Sequence, residues 1–191
     1  MKKGLLILLS GPSGVGKGTV RKIVFNDKSL DLAYSISMTT RSPREKEVDG
    51  VDYFFVSEEE FIKRLNGNEF LEHARFVGNY YGTPKSYVEK LREEGKNVFL
   101  EIEVQGAKQV LDQYKDDDKV VSIFLLPPSL DELEKRIRGR RSEEEHIIQE
   151  RLSKAKREID LKGNYQYSVL NDNIYRASEE IISIIRDNLN K

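Results

Sequence analysis

The chain has 191 residues, which is enough for one compact domain with a substantial buried core. Lys and Arg total 32 against 33 Asp and Glu, so the net charge of -1 provides no overall basic field, and we expect no nucleic-acid partner. The absence of cysteine excludes disulfides, thiolate catalysis and cysteine metal sites, and two histidines argue against a multi-histidine metal site.

The longest apolar run, residues 5–9, is much shorter than the roughly 18 residues that a membrane span needs. The Met-Lys-Lys start resembles that of a signal peptide, but the apolar run is too short and no small-residue cleavage site follows it. We therefore expect a cytoplasmic protein without a membrane partner.

The elements in chain order predict an α/β fold. Residues 5–9 form a short apolar run that ends in glycines, as expected of a strand buried on both faces of a parallel sheet. Similar runs occur at residues 98–104, 120–126 and, more weakly, 167–170. Three helices are predicted between and after these strands. The first begins at a capping box formed by Ser129 and Glu132. The second has Ile148, Leu152, Ala155 and Ile159 on one face, and the third has Ile174, Ala177, Ile181 and Ile185 on one face.

Residues 34–97 interrupt this alternation and predict an inserted lobe. Three short strands are expected there, at residues 33–37, 53–56 and 70–76. A capping box at Ser57 predicts a helix that stops near Gly67, and Thr83-Pro84 predicts the cap and first position of another that ends at Gly95. Residues 138–146 form a second, smaller polar insertion.

A glycine-rich loop follows the first strand and matches the P-loop pattern. The backbone amides of such a loop form a nest for phosphate oxygens, and its lysine reaches the terminal phosphates. The pattern predicts an ATP site at Gly11, Pro12, Ser13, Gly14, Val15, Gly16, Lys17, Gly18 and Thr19. Gly18 replaces the Ser or Thr hydroxyl that normally binds Mg²⁺, so we expect the metal to be held mainly by phosphate and water, with no protein ligand.

Two arginines and two tyrosines of the inserted lobe are candidate ligands of a phosphate monoester. Arg41 and Arg44 follow the first strand of the lobe, and Tyr53 and Tyr81 lie in later strands. Guanidinium and phenol groups can bind such a phosphate by forked and single hydrogen bonds. Taken alone, the arginines are better explained by a solvated basic turn, and the tyrosine pair Tyr80-Tyr81 by packing.

Six motifs, in this order and spacing, resemble those of the guanylate kinase family. They are Gly-Pro-Ser-Gly-Val-Gly-Lys (11–17), Ser-Met-Thr-Thr-Arg-Ser-Pro-Arg (37–44), Gly-Val-Asp-Tyr-Phe-Phe (50–55), Gly-Asn-Tyr-Tyr-Gly-Thr (78–83), Glu-Ile-Glu-Val-Gln-Gly (101–106) and Pro-Pro-Ser (127–129). The resemblance covers essentially the whole chain. It implies a P-loop nucleoside monophosphate kinase fold with a five-stranded parallel sheet, a GMP-binding lobe and a lid. It also implies transfer of the γ-phosphoryl group of ATP to GMP, and to dGMP, with Mg²⁺.

The resemblance also implies roles for individual residues. In the family, the positions that match Arg41, Arg44, Tyr53 and Tyr81 bind the GMP phosphate. The positions that match Ser37, Glu72, Thr83 and Glu103 lie near the guanine base, and the position that matches Asn171 lies near the adenine of ATP. The chemistry of Glu72 is reasonable, because guanine presents N1–H and the N2 amino group side by side to a carboxylate, whereas adenine has a lone pair at N1. Where the family often has Asp-x-Asp, this chain has Glu101 and Glu103, which strand alternation would place on one face.

Several arginines around residues 136–151 match the family's lid. Arg136, Arg140 and Arg151 correspond to lid arginines, whereas Arg141 stands where glycine is common. The expected catalytic residues are Lys17, Arg41, Arg136, Arg140 and Arg151, because bringing two polyanions together requires cations rather than a general base. Without the resemblance, a solvated charge run explains the cluster.

The expected division is a core of residues 1–33, 98–135 and 156–191, a GMP-binding lobe of residues 34–97, and a lid of about residues 136–155. Two alternatives stay open: a nucleoside monophosphate kinase with another base preference, and a noncatalytic guanylate-kinase-like module that binds phosphopeptides. We expect a monomer or small homo-oligomer that binds ATP and GMP.

Overall fold

A computed structural model describes residues 2–139 and 144–191. Its larger sheet has five parallel strands in the spatial order β2-β7-β1-β8-β9. These strands are β1 (Leu6–Ser10), β2 (Leu32–Tyr34), β7 (Asn97–Glu101), β8 (Val120–Leu126) and β9 (Tyr167–Leu170). The predicted five-stranded parallel sheet is confirmed.

Seven helices accompany the two sheets within the described residues. They are α1 (Lys17–Val24), α2 (Glu58–Asn66), α3 (Lys85–Glu93), α4 (Val104–Gln113), α5 (Leu130–Arg138), α6 (Glu145–Ile159) and α7 (Ile174–Leu189), with short 3₁₀ turns at Lys28–Leu30 and Asp160–Asn164. No helix in this part of the chain is both long and apolar enough to cross a membrane.

The parallel sheet is buried on both faces because β1 alternates between two cores. Ile7 and Leu9 pack with residues of α1 and α7, and Leu6 and Leu8 pack with residues of α3 and α4. The continuous apolar run of β1 therefore reflects helices on both sides of the sheet, as the sequence predicts.

The inserted residues form a second sheet of four strands in the order β4-β3-β6-β5. Its strands are β3 (Met38–Thr39), β4 (Phe54–Phe55), β5 (Phe70–Phe76) and β6 (Asn79–Pro84). Strand β5 has the predicted bounds, but the other two are shorter than predicted. The strand predicted at 33–37 is wrong: residues 32–34 form β2 of the parallel sheet, and the smaller sheet begins only after residue 37, with β3.

The capping predictions are confirmed at two helices and wrong at one. The amide of Glu60 donates to Ser57 Oγ in α2, and that of Glu132 donates to Ser129 Oγ in α5. Helix α3, in contrast, has Pro84 as its N-cap rather than Thr83. Thr83 and Pro84 still belong to β6, and the Thr83 hydroxyl donates to the Glu72 carboxylate instead of accepting from a helix amide.

The predicted strand at residues 98–104 is also too long. Strand β7 ends at Glu101, and α4, which was not predicted, begins at Val104 with Glu103 as its N-cap. Glu101 and Glu103 therefore do not share a strand face. The apolar residues after Glu101 resemble a strand in sequence, but Val104 belongs to the helical face that packs on the sheet.

Candidate active site

The glycine-rich loop joins the carboxyl end of β1 to the amino end of α1, where no side chain caps the helix. A Cβ at Gly11 would lie 2.5 Å from the carbonyl oxygen of Leu125, and one at Gly16 would lie 2.8 Å from Asn171 Nδ2. Both glycines also have positive φ angles. Glycine at these positions allows the chain to curl closely against β8 and β9, which leaves the free amides of the helix end open to an anion.

Lys17 is the first residue of α1, and its ammonium lies within this loop. Its Nζ donates to the carbonyl oxygens of Gly11 at 2.6 Å and Pro12 at 3.2 Å. Burial lowers the pKa of Lys17, although the negative charges of Glu101, Glu158 and Glu103 act in the opposite direction. The site therefore holds a desolvated cation beside an anion nest.

A cavity of about 540 Å³ opens in front of the loop. Its walls combine glycines and hydroxyls of the loop with charged side chains from β7, the start of α4, and α6. The residues that line it include Ser13, Lys17, Gly18, Thr19, Arg21, Glu101, Glu103, Lys154 and Glu158. Seven of the nine predicted loop residues and both carboxylates of the Glu-Ile-Glu motif thus meet at one cavity, whereas Pro12 and Val15 are buried and do not line it.

A second cavity, of about 360 Å³, adjoins the loop on the side of β9 and α7. Arg136 and Asn171 line it, together with Gly16 and Thr19. The Asn171 amide donates to the carbonyl oxygen of Val15 at 2.8 Å, and Arg136 donates to the same oxygen at 3.3 Å. Both predicted residues therefore brace the loop beside this second cavity.

The other arginines between residues 138 and 151 differ from one another in their contacts. Arg151, on α6, donates to the hydroxyl of Ser13 at 2.8 Å and so reaches the loop. Arg138 is exposed and pairs with Glu134 and Glu145, as a solvated charge run does. Arg140 and Arg141 lie outside the described residues.

Most of the predicted acceptor-phosphate residues come together in the smaller sheet. The Tyr53 and Tyr81 ring centroids are 6.2 Å apart, and the Arg41 guanidinium lies 5.4 Å from the Tyr53 ring centre. Arg44 is exposed in the adjoining loop. Ser37 precedes β3, is partly buried, and accepts at its carbonyl oxygen from the amide of Phe54.

Glu47 holds this group of residues in place. Arg41 Nη2 donates to both Glu47 carboxylate oxygens at 2.9 Å, and the backbone amide of Arg44 donates to one of them at 2.8 Å. The Arg44 amide and the Arg41 guanidinium lower the pKa of Glu47 despite the opposing effect of burial. The sequence analysis missed Glu47, because an acidic residue in a charged loop gives no signal of its own.

The predicted base-reading residues form a second part of the acceptor site. Thr83 Oγ1 donates to Glu72 Oε1 at 2.6 Å, and a Cβ at Gly106 would lie 3.0 Å from Glu72 Oε2. Burial raises the pKa of Glu72, the Thr83 hydroxyl lowers it, and the charge of Glu103 raises it. Glu103, whose charge acts on Glu72, itself lines the cavity in front of the glycine-rich loop.

The side chains near the glycine-rich loop offer few oxygen ligands for a divalent metal. Among residues 2–139 and 144–191, no group of three or more His, Asp or Glu side chains is suited to hold a metal ion. Glu101 lies 3.6 Å from where a Gly18 Cβ would be, but its other oxygen pairs with Arg21 Nε at 3.0 Å. These residues fit a metal that arrives with nucleotide phosphates, with the Thr19 hydroxyl and Glu101 as the nearby oxygen donors.

The parallel sheet, the glycine-rich loop and the inserted second sheet are the parts of the P-loop nucleoside monophosphate kinase fold. The family model described as "Guanylate kinase" matches residues 3–188. The chain belongs to the guanylate kinase family.

Individual relatives agree with this assignment. The guanylate kinase of Enterococcus faecalis is 56% identical over 184 residues, covering 96% of this chain and 89% of that protein. The guanylate kinase of Mesoplasma florum is 56% identical over 183 residues, covering 96% of this chain but only 61% of the length of that relative. A crystal structure of guanylate kinase from Anaplasma phagocytophilum is 33% identical, with a TM-score of 0.72 and coverage of 97% of this chain and 86% of that one.

Proposed function

We propose that this chain transfers the γ-phosphoryl group of ATP to GMP, and to dGMP, to give ADP and the nucleoside diphosphate. The observation that carries the proposal is the pairing of a partly buried Glu72 with Thr83, beside a group formed by Arg41, Tyr53 and Tyr81. A carboxylate that accepts from guanine N1–H and N2 and a phosphate-binding group on the same lobe suit GMP.

The roles of the residues follow from the charges involved. The attacking atom is a phosphate oxygen of GMP that is already anionic, so no side chain has to remove a proton. As it bonds to the γ-phosphorus, the bond from that phosphorus to the β–γ bridging oxygen breaks, and ADP leaves with the electron pair. The obstacle is the repulsion between the two nucleotides, so catalysis depends on positioning and on positive charge.

Each cation has a place in this scheme. Lys17 and the amides of the loop hold the ATP phosphates, and Arg41 with Arg44 holds the GMP phosphate. Arg151 reaches the loop through Ser13, and Arg136 fixes the loop at the donor pocket. We assign Arg140 the charge-neutralising role of a lid arginine. Mg²⁺ bound with ATP would neutralise the phosphate charge further.

Both substrates are cytoplasmic metabolites, so we infer that the protein acts in the cytoplasm, in purine nucleotide metabolism. The experiment is a coupled assay of ADP release with GMP, dGMP, AMP and UMP as acceptors, and with Lys17→Met as the background control. We expect GMP to exceed AMP in kcat/KM by about 10³-fold or more, because AMP leaves Glu72 without a donor. Similar rates with AMP would overturn the base assignment, and no ADP release with any acceptor would favour the noncatalytic binding module.

A further inference from the structure

Lys154 lies on the cavity side of α6, where the proposed roles leave it unused. The opposite face of this helix packs Ile148, Leu152 and Ala155 against α5. Lys154 instead lines the cavity that also contains Lys17, and its side chain is 43% exposed. A lysine with no functional role would be expected to extend into solvent, but this one points towards two carboxylates.

The ammonium of Lys154 connects α6 with the acceptor side of the cavity. Its Nζ lies 3.0 Å from Glu103 Oε2, and 3.6 Å from Glu158 Oε1. Glu158 is nearly buried, with 10% of its side chain exposed, whereas 71% of Glu103 is exposed. Glu158 therefore fixes the position of the ammonium, and the ammonium in turn restrains the more mobile carboxylate.

The contact between Lys154 and Glu103 places a positive charge near two carboxylates that repel each other. Glu72 and Glu103 are two carboxylates near one acceptor pocket, and the charge of Glu103 raises the pKa of Glu72. A cation on Glu103 offsets that repulsion and so favours the ionised form of Glu72. Burial of the Lys154 ammonium opposes its charged form, but the contacts with Glu103 and Glu158 raise the pKa of Lys154 overall.

We propose that Lys154 is a positioning residue for the acceptor base: it holds the Glu103 carboxylate in a fixed orientation at the edge of the cavity, so that guanine meets prearranged carboxylates at Glu103 and Glu72. This inference rests on the proposed function, because it concerns the GMP site. Lys154 acts through Glu103 rather than on the transferred group, so its loss should weaken GMP binding and leave the chemical step intact.

The test begins with the wild-type protein, and compares it with Lys154→Gln, Lys154→Arg and the matched control Lys156→Gln on the same helix. The wild type must form GDP from ATP and GMP; failure here overturns the proposed function itself. Given that activity, Lys154→Gln should raise the KM for GMP about two- to fivefold, the range expected for an exposed ion pair. Its kcat and its KM for ATP should stay within error of the wild type.

Three further measurements separate positioning from a structural role. Calorimetric titration of GMP without ATP should show the same loss of GMP affinity in Lys154→Gln. The Lys154→Arg variant should keep most of the wild-type affinity, and Lys156→Gln should match the wild type. In a Glu103→Gln background, Lys154→Gln should have no further effect. An unchanged KM for GMP in Lys154→Gln, or a full additional loss in the double variant, would overturn the proposal while the proposed function stands.

Discussion

The Thr83 hydroxyl donates to Glu72 Oε1 at 2.6 Å, across the paired strands β5 and β6. This bond occupies one oxygen of the carboxylate, and the other faces Gly106 at the start of α4. These contacts fix the direction of Glu72, and the residue that the sequence suggested as a helix cap instead orients the carboxylate that we propose reads the base.

Removing the Thr83 hydroxyl should change the pH dependence of GMP use. Burial already raises the pKa of Glu72, and Thr83 opposes that rise, so Thr83→Val should raise the pKa further. Because the carboxylate must be ionised to accept from guanine, the acidic limb of kcat/KM for GMP should move to higher pH. A pH profile of the two proteins measures the shift, and coincident acidic limbs would rule out this role for Thr83.

Gly106→Ala should weaken GMP binding without weakening the fold. The added Cβ would lie 3.0 Å from Glu72 Oε2 and would displace the carboxylate, so we expect a raised KM for GMP. Alanine is favoured over glycine inside a helix by about 1 kcal/mol, so the free energy of unfolding should not fall. Steady-state kinetics and urea unfolding test the two parts. Gly163→Ala is the control, because a Cβ at Gly163 has nothing within 4 Å.

Local sequence signals were sufficient for much of this architecture. The capping boxes at Ser57 and Ser129 and the bounds of β5 were predicted from short-range patterns, and the structure confirms each of them. The glycine loop is also a local signal. The apolar residues after Glu101 do not reveal where the strand ends, because strand and helix bury the same residue types there.

The residues that sequence analysis missed all act through distant partners. Glu47 holds Arg41 six residues away across a loop, Gly106 makes room for Glu72, and Lys154 meets Glu103 across 51 residues. None of these contacts produces a periodic pattern. A lysine on a charged helix and a glutamate in a charged loop look like solvated residues until the fold places their partners beside them.

Glu47→Ala should impair GMP binding by releasing Arg41. The paired carboxylate holds the guanidinium over the Tyr53 ring, so without it the arginine must be ordered when the phosphate binds. Ordering a side chain of this type costs about 0.5–1.5 kcal/mol, which corresponds to a rise in KM for GMP of about two- to tenfold. Kinetics with GMP and ATP varied separately check this. A lower KM would instead mean that Glu47 competes with the phosphate.

Lys17→Met and Arg151→Ala should each lower kcat by orders of magnitude while the melting temperature changes little. Lys17 bonds only to the carbonyl oxygens of its own loop, and its buried charge is costly, so an apolar replacement should not destabilise the fold. Both variants remove positive charge from the phosphate-transfer region. Turnover and thermal unfolding of the same preparations are the measurements. Near-normal turnover in either variant would contradict its catalytic role.

Val77 should be replaceable with a gain in stability and no change in activity. It occupies the two-residue turn between β5 and β6 with φ of 46°, and 79% of it is exposed. A β-branched residue is strained there by about 1–2 kcal/mol, whereas asparagine tolerates this conformation. Val77→Asn should therefore raise the free energy of unfolding by about 1 kcal/mol, measured by urea denaturation. Val77→Gly should gain less, because glycine also makes the unfolded chain more flexible. Unchanged stability in the asparagine variant would show that the turn relaxes without cost.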